Sequence, residues 1–262
     1  MTEISIRAEE IFRLGAWPVT NALLLSTVAV CFLAGMAALL KSRLALVPGK
    51  VQSLFELLLE QILNIMDTLL GSRERSERYL PLIATIFLFI LASNWLGLFP
   101  FVGAVGIVPT RYPAPGHPDA ELIPLFRAPA ADLNFTIALA VISVLAVNVL
   151  GVAAIGASRH FSKFFTLSSP LQTFTGLLEF VSEFVRILSF SFRLFGNIFA
   201  GEVLLAVVGA LVPYVLPLPF LFLEIFVGFI QALIFAMLTL VFIAMAVSGH
   251  GAEAVEKSHA QA

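Results

Sequence analysis

TFTGLLEFVSEFVRILSFSFRLFGNIFAGEVLLAVVGAL, residues 173–211, is 39 residues of almost unbroken apolar sequence that nevertheless carries Glu179, Glu183, Arg186, Arg193 and Glu202. A stretch this long and apolar spans a bilayer, because about 20 residues at 1.5 Å each already cross the hydrocarbon core. Charged groups inside such a stretch are costly, about 2.5–3.5 kcal/mol each on insertion scales, so they pair with one another or line an ion path. Wholly helical, this stretch would be about 55 Å long, which predicts a steeply tilted or bent helix.

The rest of the chain agrees. Among its 262 residues 60% are hydrophobic and only 12% are charged, against about a quarter charged in soluble domains. Mean hydropathy is +1.00. This composition excludes a disordered chain and argues against a soluble enzyme. The net charge of −2 comes with no basic block, so nucleic acid is not an expected partner. One cysteine, Cys31, in an apolar run gives neither a disulfide framework nor a thiol metal site. His160, His250 and His259 have no ligand spacing, so no metal and no cofactor are expected.

Further apolar runs predict spans at 18–40, 80–101 and 133–157, and 216–247 returns from 173–211 through Pro213, Pro217 and Pro219. The first run lacks the basic start and small-residue cleavage site of a signal peptide, so it reads as retained. Residues 51–71 differ. Glu56, Glu60 and Asp67 share one helical face while Leu54, Leu58 and Ile62 take another, which predicts an amphipathic helix on the membrane surface rather than a crossing. The fold expected is therefore an all-α membrane protein in a single polytopic domain (1–262): five spans, one surface helix and a long final hairpin. The proline-rich stretch 103–131 reads as an irregular loop, with Asp132 and Asn134 as a helix N-cap. With five spans, nine Lys and Arg (Lys41, Arg43, Lys50, Arg73, Arg75, Arg78, Arg159, Lys163, Lys257) fall on one side. Only Arg7, Arg13, Arg111 and Arg127 fall on the other. The positive-inside rule then puts the N-terminus outside and the C-terminus in the cytoplasm. That pattern, without a transit peptide, suits a bacterial inner membrane.

Spacing gives the intramembrane charges a pattern. Glu179, Arg186 and Arg193 are seven apart and form one stripe, with Glu183 and Asn197 near it. Glu202, nine residues past Arg193, faces the opposite side about 13 Å further along. Polar groups on two faces at two depths fit two half-paths better than one straight pore. If the hairpin turns near Val212 and Pro213, Gln231 comes level with Arg193 and Glu224 with Glu202. Glu224 and Gln231 share a face of their own, being seven apart. Two neighbouring carboxylates in low dielectric do not both ionise readily, which suits a proton relay. Arginine keeps its charge and cannot accept a proton, so it blocks leakage.

The block SFRLFGNIFAGE, Ser191 to Glu202, read with QALIF, Gln231 to Phe235, resembles the a-subunit family of rotary F-type ATP synthases. NWLGLFP, Asn94 to Pro100, and ADLN, Ala131 to Asn134, look like two further motifs of that family, and the resemblance runs from about residue 18 to 247. It implies a non-catalytic stator subunit beside a rotating ring of c subunits and bound to peripheral-stalk b subunits, carrying protons for ATP synthesis. It implies further that Arg193 faces the ring carboxylates between two aqueous half-channels. Glu202 and Glu224, with Asn197 and Gln231 in part, match the outer half-channel; Glu179 and Ser182 match the cytoplasmic one, where Glu183 also lies. Many members carry histidine at the position of Glu224. Glu183 and Arg186 read as a local i, i+3 pair, and Asn94 either gives outer access or satisfies backbone at a helix break.

Two other readings are weaker. A proton-coupled secondary transporter predicts broken helices in matching positions of two halves, yet the intramembrane charges all lie in the last 90 residues. A plain membrane anchor would not keep six charges inside the membrane.

Overall fold

The computed structural model describes residues 8–99, 101–103, 105–107, 123–157, 170–212 and 215–248. Arg7, Arg111, Arg159, His160, Lys163, Pro213, His250, Lys257 and His259 lie outside the described residues.

Six long helices dominate the described residues: α1 Asn21–Ser42, α2 Lys50–Leu70, α3 Arg73–Gly97, α4 Leu133–Ile155, α5 Pro170–Leu211 and α6 Pro217–Ser248. Five of them are long and apolar enough to cross a membrane, and α2 is not among those five. The all-α reading with five spans and one additional helix holds. Boundaries shift where local chemistry competes with hydropathy. α1 starts at Asn21 because Trp17–Thr20 pairs with Glu10–Leu14 as an antiparallel hairpin, turning through Gly15 at φ 66. The Thr20 hydroxyl accepts from the Leu23 amide at 3.3 Å and caps the helix. α3 begins at Arg73, earlier than the apolar run, since the charged turn RERSER is itself a good helix former. It also continues through Asn94 and Trp95.

Contacts group the chain into two compact units. The first is drawn from Met1–Leu54, Thr85–Thr136 and Phe192–Leu233. Its core holds Leu25, Phe87, Ile90, Leu194 and Ala232, all at most 2% exposed, and Phe87 meets Phe229 edge-on at 5.9 Å. The stretch expected to be irregular has some order here. Gly106–Ile107 pairs with Ile123–Pro124, and Pro129–Ala131 forms a buried 3₁₀ turn. Asp132 caps α4, its Oδ1 accepting from the Asn134 amide at 3.0 Å.

The second unit is drawn from Phe55–Ala84, Ile137–Ser191 and Ile234–Ala262. Ile62, Leu63, Met66 and Leu70 form the buried stripe of α2, whereas Glu56 and Glu60 stay exposed. Phe190 packs on Phe235 at 4.9 Å and on Phe242 at 5.7 Å, which holds α5 against α6 in this unit. A buried hydroxyl pair, Ser143 with Thr239 at 2.8 Å, joins α4 to α6.

Candidate functional site

Arg193 lies exposed on α5, and among the described residues it has no ion pair and no hydrogen bond. It heads an open stripe of the first unit at helical spacing: Arg193, Gly196, Asn197, Ala200, Leu204, Val207 and Leu211. Next to the arginine the stripe is made of small residues, so a neighbouring backbone could approach closely.

Other polar groups link this part of α5 to α6, and Asn197 on the stripe itself is one of them. Asn197 Nδ2 donates to Gln231 Oε1 at 2.8 Å, one turn further along α5 than the Arg193–Gln231 level expected from the hairpin. Gln231 is 2% exposed, and its Nε2 is buried without a protein partner. Glu224 is buried, with its carboxylate against Gly201, the residue before Glu202. A Cβ at position 201 would overlap that carboxylate, so the glycine makes room for it. α6 thus presents Glu224 and Gln231 to α5 close to where the mirrored hairpin puts them.

Glu202 holds an additional partner. Arg127 Nη2 donates to Glu202 Oε2 at 3.3 Å, and the arginine side chain is only 8% exposed. From sequence Arg127 reads as a loop charge, because a proline-rich segment looks solvated. A buried 3₁₀ turn immediately after it is what carries it inward. Asn94 is also drawn in: its Nδ2 donates to the Gly228 carbonyl at 3.2 Å, and Trp95 Nε1 donates to the Ile225 carbonyl at 3.1 Å. The two side chains tie α3 to the stretch of α6 between Glu224 and Gln231 without breaking α3. Asn94 Oδ1 and Ser93 Oγ remain buried without a protein partner. Buried polar atoms of this kind are normally satisfied by water.

In the second unit Glu179 and Ser182 are exposed, and the Ser182 hydroxyl donates back to the Leu178 carbonyl at 2.8 Å. Glu183 pairs with Arg186 at 2.7 Å and accepts from Asn148 Nδ2 at 3.5 Å. The Arg186 guanidinium also lies 3.7 Å from the centre of the Phe242 ring, so this arginine is occupied within its own unit. No cluster of three His, Cys, Asp or Glu able to hold a metal occurs among the described residues.

A family model described as "ATP synthase A chain" matches residues 22–244. The chain belongs to the ATP synthase A chain family. A relative named ATP synthase subunit a from Campylobacter jejuni subsp. doylei is 35% identical over 231 residues, covering 88% of this chain and 89% of the relative. Another of that name, from Moorella thermoacetica, is 31% identical over 245 residues, covering 94% of this chain and 99% of the relative. Every residue of the candidate site lies within the span matched to the ATP synthase A chain family. Family membership and five helices long and apolar enough to cross a membrane make this a multi-pass membrane protein of ATP synthesis and ion transport.

Proposed function

We propose that the chain is the proton-conducting stator subunit of a bacterial F-type ATP synthase and catalyses no bond chemistry of its own. It loads protons onto the carboxylates of a rotating ring of c subunits through one half-channel and unloads them through another. The observation that carries this reading is Arg193, an ever-charged side chain on an apolar helix with no counter-charge in its own chain among the described residues. Such a charge is tolerable in a membrane only beside a partner's carboxylate or water. The open stripe below it fits an apolar ring surface.

A proton enters from outside through the group of Glu202, Glu224, Asn197 and Gln231, with Asn94 beside it, and neutralises a ring carboxylate. Neutral, the ring carboxylate can face lipid without the cost of a buried charge. After nearly a full turn it releases the proton toward the cytoplasm near Glu179, Ser182 and Glu183. The membrane potential supplies about 2.3 kcal/mol per charge per 100 mV. Peripheral-stalk b subunits hold the chain against the torque, with the N-terminus outside and the C-terminus in the cytoplasm of an inner membrane.

The test is ATP-driven proton pumping by the whole complex in inverted vesicles. Arg193→Ala is expected to assemble and to abolish pumping. Pumping at near wild-type rate would make Arg193 structural and overturn the two-half-channel reading.

A further inference from the structure

Two arginines serve the first unit in opposite ways. Arg193 is open and unpaired within the described chain, whereas Arg127 is buried and bonded to Glu202. The Arg127–Glu202 pair is itself asymmetric: the arginine side chain is 8% exposed and the glutamate side chain 36%. The more open member is therefore the carboxylate, which can exchange a proton, and the enclosed member is the guanidinium, which cannot.

Arg127 is also mounted on a fixed base. Immediately after it, the Ala131 amide donates to the Ala128 carbonyl at 3.0 Å and the Asp132 amide to the Pro129 carbonyl at 3.1 Å, with Pro129, Ala130 and Ala131 buried. Ala128 is pressed so closely on Gly97 that a Cβ there would stand 2.7 Å from the Ala128 Cβ. On the other side the Leu125 amide donates to the Val105 carbonyl at 2.9 Å, and Phe126 meets Phe101 edge-on at 5.9 Å. A guanidinium held this way gives the carboxylate it bonds a defined place, as proton transfer over hydrogen-bond distances requires.

We propose that Arg127 is a positioning residue of the proton path, fixing the Glu202 carboxylate so that protons pass at that end of the path only while the pair is intact. The inference rests on the proton-path reading above and adds to it a residue from outside the final hairpin.

The experiment uses the whole complex in inverted vesicles and expresses ATP-driven pumping per assembled complex. Arg127→Gln, similar in length but neutral, is expected to lower pumping at least tenfold in assembled complexes. Arg127→Lys restores the charge and is expected to come within threefold of wild type. Rescue by lysine distinguishes a charge that places Glu202 from simple packing. Pumping by assembled Arg127→Gln within twofold of wild type, or lysine no better than glutamine, overturns the proposal. Should the glutamine variant fail to assemble, Glu202→Asp decides from the other side of the pair by drawing the carboxylate back one methylene. It is expected to pump at least fivefold more slowly, and a rate within twofold of wild type overturns the proposal. Arg193→Ala measured alongside separates the two ideas. If it pumps normally, the proton-path reading itself fails; if it is dead while Arg127→Gln pumps normally, only the role of Arg127 falls.

Discussion

Gly97 and Gly201 are both crowded, but by different kinds of neighbour. At Gly97 the obstacle includes backbone, since a Cβ there would also stand 3.1 Å from the Ala128 Cα. Gly97→Ala must push the 126–132 segment away, and overpacking of this sort costs about 1–3 kcal/mol. A lowered thermal midpoint of the purified complex is the expected result, with pumping reduced as Arg127 moves with its segment. At Gly201 the obstacle is the end of a flexible side chain, the Glu224 carboxylate, which can swing aside. Gly201→Ala should therefore leave the thermal midpoint nearly unchanged while cutting pumping severalfold. A large loss of stability in that variant would show the carboxylate to be locked. Much of this site could be read from residues alone. A charge or amide inside an apolar run stands out, which is how Arg193, Glu202, Glu224 and Gln231 declare themselves. Arg127 could not be found that way, because a charge in a proline-rich stretch looks like any solvated loop charge until the turn at Pro129–Ala131 buries it.

At the junction of α2 and α3, Asp67 is tied to the first turn of the next helix. The Ser76 hydroxyl and the Arg73 guanidinium beside it hold its carboxyl below the usual carboxylate range. A group shifted this way stabilises fully above its unfolded pKa and loses that contribution as pH falls through the lowered folded value. Hydrogen-exchange protection factors at the junction should then be constant near neutrality and drop only in acid below the ordinary carboxylate range. Asp67→Asn should remove that drop, and persistence of the drop in the variant would assign it to another group. In the second unit the Ser143–Thr239 pair predicts a small effect. Thr239 also donates to the Phe235 carbonyl at 2.9 Å, so Ser143→Ala leaves it bonded. The expected cost is about 0.6 kcal/mol, the average for such bonds between membrane helices; a loss several times larger would mean the pair anchors more than itself. Helix number and type were legible because 3.6-residue periodicity and unbroken apolar length are strong signals. The N-terminal hairpin was not. Its second strand begins at Trp17 and runs straight into the apolar helix, so composition offers no seam, and Gly15 is the only turn residue to mark it.

For the molecule as a whole, the proposed orientation is checked by labelling. In a Cys31→Ser background, Lys257→Cys should react with a membrane-impermeant maleimide in inverted vesicles and stay unreactive in intact cells; the reverse pattern would invert the proposed topology. The open stripe of α5 has one more consequence. Beyond Arg193 and Asn197 it is Ala200, Leu204, Val207 and Leu211, with no hydrogen-bonding side chain. On the proposed function this face meets a turning partner and has to release each contact as readily as it forms it, and shallow apolar contacts give no directional bond to break. The stripe has the character of a bearing. Polar side chains placed at Leu204 or Val207 would act as brakes, slowing the machine without disassembling it.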